Sequence, residues 1–186
     1  MRQIDSLKLL TEHAADGRSV FTRRDLERLL RNDQPAARAA TLKRLTKSGW
    51  LRPAARGVYV YPAGLRKDGY DLERIARTLR RGEHNYVSLE SALSEWGAIS
   101  QVPVGYLAVM TTGRKGTFRT PWGTIEFTHT ARPIEDIFNA TVVPPARPLR
   151  LATPEAAWRD LKRVGRNCGM VDREVLEEIV HERCAE

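Results

Sequence analysis

The side chains best suited to chemistry in this sequence are cationic, and they come in short groups. Arg23 and Arg24 open one apolar-periodic segment, Lys43, Arg44 and Lys47 recur along the next with Arg38 and Thr41 among them, and Arg52 and Arg56 flank a bend. The chemistry open to such a set is recognition of an anion. Guanidinium and ammonium groups neutralise phosphates, and arginine or lysine can donate to the acceptors on a base edge.

Catalysis needs other partners, and none are grouped. His13, His84, His129 and His181 form no closely spaced metal-binding pair, and two cysteines, Cys168 and Cys184, make no disulfide framework. His181 and Cys184 stand at i, i+3 and could join Cys168 around zinc, but such a pair on a helix is more often plain surface. Gly113, Gly116 and Gly123 lack the Lys-Ser/Thr of a phosphate loop, and Ser88, Ser91 and Ser94 lack a nucleophile elbow. Asp71/Glu73 and Glu135/Asp136 read as acids placed for a helix dipole. The expectation is a protein that is not an enzyme and needs no metal or cofactor.

The distribution of charge narrows the partner. Net charge is +8 over 186 residues, yet residues 1–82 hold 19 Lys and Arg against 9 Asp and Glu, and residues 83–186 hold 12 against 14. All of the positive excess belongs to the first part, so an anionic partner is expected for that part alone. Nucleic acid fits better than a membrane surface, because no basic amphipathic helix with a large aromatic face is present. No apolar run approaches the roughly 20 residues of a membrane span, and Asp5, Lys8 and Glu12 interrupt the N-terminus too early for a secretory signal, so a cytoplasmic location is expected.

The elements that must carry the cations can be read from periodicity and punctuation. In residues 4–15, Leu7, Leu10, Thr11 and Ala14 share one helical face, and Asp16-Gly17 ends it. Val20-Phe21 suits a short strand. Thr22 with Asp25 is a capping-box-like start for a helix striped by Leu26, Leu29 and Leu30. Pro35 suits the first position of a third helix that Gly49 ends, with Leu42 and Leu45 facing inward. Trp50-Leu51 and Val58–Tyr61 then form a hairpin around Arg52, Arg56 and Gly57. Helix, strand, helix, turn, helix and hairpin make a winged helix-turn-helix. In that fold the third helix enters the major groove and the wing meets flanking backbone. Ala36, Ala40, Lys43, Arg44 and Lys47 then face the groove with Thr41 on the flank, while Arg38 falls near the core face and snorkels. A fourth helix over 71–81 reads as a connector.

Residues 83–186 mix helices and strands without a βαβ rhythm. A helix follows Ser88 and stops at Gly97, VGYLAVMTTG is a strand, and KGTFRTPWGTIEFTHTA is a hairpin turning at Pro121-Trp122-Gly123. A short helix over Ile134–Asn139, a strand over Ala140–Val143, a helix begun by Thr153-Pro154 and an acidic last helix over 172–186 complete it. The fold class is α+β: an N-terminal winged helix-turn-helix with its connecting helix over 1–82, then a smaller mixed α+β domain over 83–186.

With these residues in view, the sequence resembles the AbiEi family of antitoxins from type IV toxin–antitoxin systems. FTRRDLERLL, LKRLTKSGWL, RGVYVYP and, most distinctively, NYVSLESALSEWGAISQVP followed by a strand and TIEFTHTARP carry the resemblance, which covers nearly the whole chain. It implies a winged helix that binds double-stranded DNA at its own operon promoter, at inverted repeats, and represses it. It further implies a C-terminal domain that counteracts a nucleotidyltransferase-like AbiEii toxin, a role tied to phage defence, without a stable complex. Some relatives fuse the same N-terminal module to a nuclease domain; here no acidic cluster is followed by Glu-x-Lys, and Glu126 is followed by Phe-Thr-His, which argues against that variant. The alternative is a protein-binding module that inhibits the toxin by direct complex formation, through the acidic last helix or the sheet over Tyr106–Phe127. Arg114, Lys115, Arg119 and Trp122 are the candidate antitoxic surface.

Overall fold

The computed structural model describes residues 3–100 and 103–184, without the Cys184 side chain. The last two residues of the expected terminal helix, and the thiol of the zinc alternative, lie outside the described residues. By its internal contacts the chain divides into two compact units, Met1–Leu79 with Arg119–Trp122, and Arg80–Phe118 with Gly123–Glu186. The second unit is the longer of the two, which corrects the expectation of a smaller C-terminal domain.

In the first unit α1 (Gln3–Ala15) precedes β1 (Val20–Thr22), α2 (Arg23–Leu29) and α3 (Pro35–Lys47), and the wing is β2 (Arg52–Ala55) with β3 (Val58–Val60). β3 is central and antiparallel to both neighbours in the order β1-β3-β2. The starts and stops follow local chemistry. Thr22 accepts from the Asp25 N–H while the Asp25 carboxylate takes the Thr22 N–H, a full capping box. Pro35 opens α3, where its missing N–H costs nothing.

Leu10, Phe21, Leu26, Leu30, Leu42, Leu45, Leu51 and Tyr61 bury together as the core on which α1, α2 and α3 close. A 3-10 turn over Pro62–Gly64 leads on to α4 (Asp71–Leu79). α4 buries Ile75 and Ala76 and packs on β1 and β3, so this helix is part of the first unit rather than a free connector.

The second unit is built on a six-stranded sheet in the order β6-β7-β5-β4-β9-β8. Its strands are β4 (Asn85–Val87), β5 (Tyr106–Thr111), β6 (Gly116–Thr120), β7 (Gly123–His129), β8 (Thr141–Val142) and β9 (Arg150–Ala152). β5 runs parallel to β7 and β4 parallel to β9, while β4–β5 and β8–β9 are antiparallel. Parallel pairs cannot be closed by a tight hairpin: β6 lies between β5 and β7 in the chain, α5 (Leu89–Glu95) and α6 (Ile134–Asn139) lie between β4 and β9, and α7 (Pro154–Val164) follows β9. α5 packs on α7 and β5, and α7 also meets β9 and α8 (Arg173–Cys184). Gly123 is required where β7 begins: a Cβ there would come within 2.2 Å of the Gly105 carbonyl oxygen.

Candidate nucleic-acid interface

α3 turns about 100° per residue, so residues 36, 40, 43 and 47 share one face. Ala36, Ala40, Lys43 and Lys47 are all exposed, and Leu42 and Leu45 are buried opposite them. Two small residues and two lysines thus make the centre of the outward face, a surface on which the backbone can come close to a polyanion. Arg44 is exposed on its flank.

Two residues of the expected contact set lie elsewhere. Thr41 is 2% exposed, closed off beside Leu42 and Leu45, and cannot reach a ligand outside the domain. Its hydroxyl oxygen instead accepts from Arg44 Nη2 at 3.1 Å. Arg38 is half-buried on the core side of α3; its Nη1 reaches the Glu27 carbonyl at 3.5 Å, and its Nε is buried without a hydrogen-bond partner. Residue 38 stands one turn before Leu42 and inherits the inward direction of that stripe, so its guanidinium leans on α2.

The wing is shorter than the apolar runs suggested. Its strands are closed by the two-residue turn Arg56-Gly57, with Ala55 facing Val58 and Arg52 facing Val60. Gly57 takes φ +77°, as such turns demand. Trp50 and Leu51 stand outside the strands: Leu51 is buried with its N–H on the Leu45 carbonyl, and Trp50 is 39% exposed. Apolar residues after a helix-ending glycine read equally well as strand or as helix-end packing, and core packing won at Leu51. The exposed indole between Lys47 and Arg52 is the feature the sequence reading left unused.

What joins wing to helix is a backbone bond. The Gly57 carbonyl accepts the Arg23 N–H at 2.8 Å, which seats the turn on the first residue of α2. Arg56 therefore lies next to Arg23 and Arg24 although more than thirty residues separate them. Arg24, Arg52 and Arg56 are exposed, whereas Arg23 shares its Nε with Glu27 at 2.9 Å. Arg18 binds the capping Asp25 at 2.7 Å and is a strut of the cap.

In the second unit the polar clusters are internally satisfied. The buried Asp160 carboxylate, 0% exposed, accepts from Tyr86, Ser88 and Arg132 at 3.1, 2.9 and 2.6 Å. Burial, and then the Asp160 charge, push the Tyr86 phenol well above the usual tyrosine range. Ser88 precedes α5 without capping it because its hydroxyl is given to Asp160. Arg166 bridges Glu90 and Glu126 and also donates to Tyr106. Burial opposes its charge, but the two carboxylates outweigh it and hold the guanidinium firmly protonated. Carboxylates paired in this way hold elements together. Among the described residues no three His, Cys, Asp or Glu side chains gather as a metal site. No helix there is long and apolar enough to cross a membrane.

The four candidate antitoxic residues are divided between the two units. Arg114 and Lys115 are exposed in the β5–β6 turn, on an open depression of about 910 Å³ with Glu83, Thr112, Thr128 and His129. Arg119 and the half-buried Trp122 fall in the hairpin segment that clusters with the first unit.

Residues 8–62 match the family model described as a transcriptional regulator, AbiEi antitoxin. That span runs from α1 to the end of the wing, so the AbiEi resemblance is borne out for the winged-helix segment. No curated protein matches the chain. Among solved structures, the crystal structure of the RV2827C protein from Mycobacterium tuberculosis is similar with a TM-score of 0.55 at 18% identity, covering 96% of this chain and 71% of that one. The likeness is one of fold and extends through both units.

Proposed function

We propose that this chain is an antitoxin that represses its own operon. Residues 1–82 act as the DNA-binding domain, with α3 in the major groove of promoter DNA and the wing on the flanking backbone. Lys43 and Lys47 face the groove floor and its phosphates, Arg44 reads a base edge, and Arg24, Arg52 and Arg56 neutralise phosphates. Residues 83–186 supply the antitoxic function against a nucleotidyltransferase-like AbiEii toxin, with Arg114, Lys115, Arg119 and Trp122 as contributing surface. The protein works in the cytoplasm.

The observation that carries the reading is the Gly57–Arg23 backbone bond. It fixes the arginine of the wing turn beside the arginines that open α2, in the same domain whose third helix presents two lysines and two alanines outward. Cations scattered for solubility alone would not need a seated wing. The test is fluorescence anisotropy with the operon's own promoter duplex against a scrambled duplex of equal length, over a salt series. Tighter promoter binding with a steep salt dependence is expected, and equal, salt-insensitive affinity for both would overturn the reading. Rescue from the neighbouring toxin with the two proteins purifying apart is expected; stable co-purification would put direct complex formation in its place.

A further inference from the structure

We infer that a cleft of the second unit, lined by residues of α6, α7 and α8, binds a small phosphorylated sugar. The inference is independent of the DNA-binding reading above, because every residue of the cleft belongs to the second unit.

The cleft has a volume of about 530 Å³, within the range of small-ligand sites. Three guanidiniums meet there: Arg132 just before α6, Arg159 on α7 and Arg183 on α8. Two of them are held by the protein. Arg132 Nη2 donates to Asp160 Oδ1 at 2.6 Å, while Tyr86 and Ser88 donate to the other carboxylate oxygen. Asp160 is fully buried, and a buried ion pair gains little stability because desolvation offsets the attraction. What this pair provides is a guanidinium fixed at the cleft wall. Arg183 lies over the Trp96 ring, 4.7 Å from its centroid, and that indole N–H is itself tied to the Ala152 carbonyl at 2.8 Å. Arg159 is exposed and makes no hydrogen bond or ion pair among the described residues. Planar forks suit the oxygens of a phosphate, and forks held in advance lose less freedom when it arrives.

The cleft also holds acceptors. Asp136 and Glu155 line it, each in the first turn of its helix, and Asn139 adds an amide. These carboxylates repel a bare phosphate, whereas sugar hydroxyls can donate to them while the phosphate meets the arginines. Among the described residues no aromatic side chain lines the cleft, so none is placed to stack a base.

Isothermal titration calorimetry on the full chain tests this, with ribose 5-phosphate and glucose 6-phosphate against the free sugars, inorganic phosphate and AMP. At least one sugar phosphate should bind about tenfold or more tighter than inorganic phosphate, as added hydrogen bonds to carboxylates allow. AMP should bind no tighter than ribose 5-phosphate. Arg159→Gln changes an exposed side chain and should weaken the binding about tenfold, the worth of one charge-assisted hydrogen bond. Asp136→Ala with Glu155→Ala should remove the preference over inorganic phosphate. Lys43→Ala with Lys47→Ala, cations of the other unit, should change neither. Absence of binding by both sugar phosphates at millimolar concentration overturns the inference, as does equal affinity for inorganic phosphate, which would leave an adventitious ion only. Binding that Arg159→Gln leaves untouched, or a preference that survives loss of both carboxylates, overturns it equally. Tighter binding of AMP would make the base part of what is recognised and overturn the sugar assignment.

Discussion

At the scale of single residues, the cations of the first unit separate into those that face outward and those that hold the domain. Arg18 and Arg23 are exposed but paired with Asp25 and Glu27, and the half-buried Arg38 reaches the Glu27 carbonyl, whereas Lys43, Lys47, Arg52 and Arg56 are exposed on the outward face of α3 and on the wing. Cations already drawn to a carboxylate have less to gain from displacing counterions on a duplex. If roughly 4–6 phosphates are neutralised, log K against log salt should slope at about −4 to −5. Replacing Arg52 and Arg56 together by alanine should flatten that slope by about 2 units and weaken all sequences alike. An unchanged slope in a salt titration would remove the wing from the interface. A second prediction concerns Tyr86, whose phenol is raised by burial and by Asp160. An acid with a raised pKa in the folded state keeps its full contribution below its unfolded value, near 10 for tyrosine, and loses it as pH rises beyond that. The stability of the wild-type chain should therefore fall more steeply above pH 10 than that of Tyr86→Phe. Urea midpoints of the two proteins between pH 9 and 11 check this, and parallel curves would deny the coupling.

At the scale of elements, what could be read from sequence was local and what could not was long-range. The Thr22–Asp25 capping pair, Pro35 at the head of α3, Thr153-Pro154 before α7 and the 3.6-residue stripes place the helices because each signal acts within a turn or two of chain. The Arg56-Gly57 turn was legible for the same reason. The parallel pairing of β4 with β9 was not: Tyr86 faces Arg150, which comes 64 residues later, and a three-residue strand has too little alternation to announce itself. Thr41 shows the limit at the candidate interface. Helical spacing puts it at the border between faces, and only the closure of the core decides that it goes inward. Gly57 tests the local logic. A Cβ there would meet nothing within 4 Å, so the cost of Gly57→Ala is that of the backbone at φ +77° alone. The domain should lose about 1–2 kcal/mol in chemical denaturation. A stability equal to wild type would mean that the turn can adopt another geometry without effort.

At the scale of the whole molecule, the charge asymmetry argues for different partners of the two parts of the chain. The first part holds all of the positive excess, while the second is close to neutral and spends its buried charges on itself through Asp160, Arg166 and their partners. A polyanion should thus be bound by one unit with the other largely indifferent to salt. If so, promoter binding and toxin rescue are separable by mutation. Lys43→Ala with Lys47→Ala should lower promoter affinity at least tenfold at moderate salt, as the loss of two phosphate contacts requires, and leave rescue from the toxin intact when the protein is expressed from a foreign promoter. Arg114→Ala with Lys115→Ala, on the exposed β5–β6 turn, should do the reverse: unchanged anisotropy on promoter DNA and impaired rescue. These side chains are far from any core, so both variants should melt like wild type. A growth assay beside the binding titration reads the two functions independently. If both variants lost both functions together, repression and antitoxicity would have to share one surface, and the division of labour drawn from the charge distribution would fail.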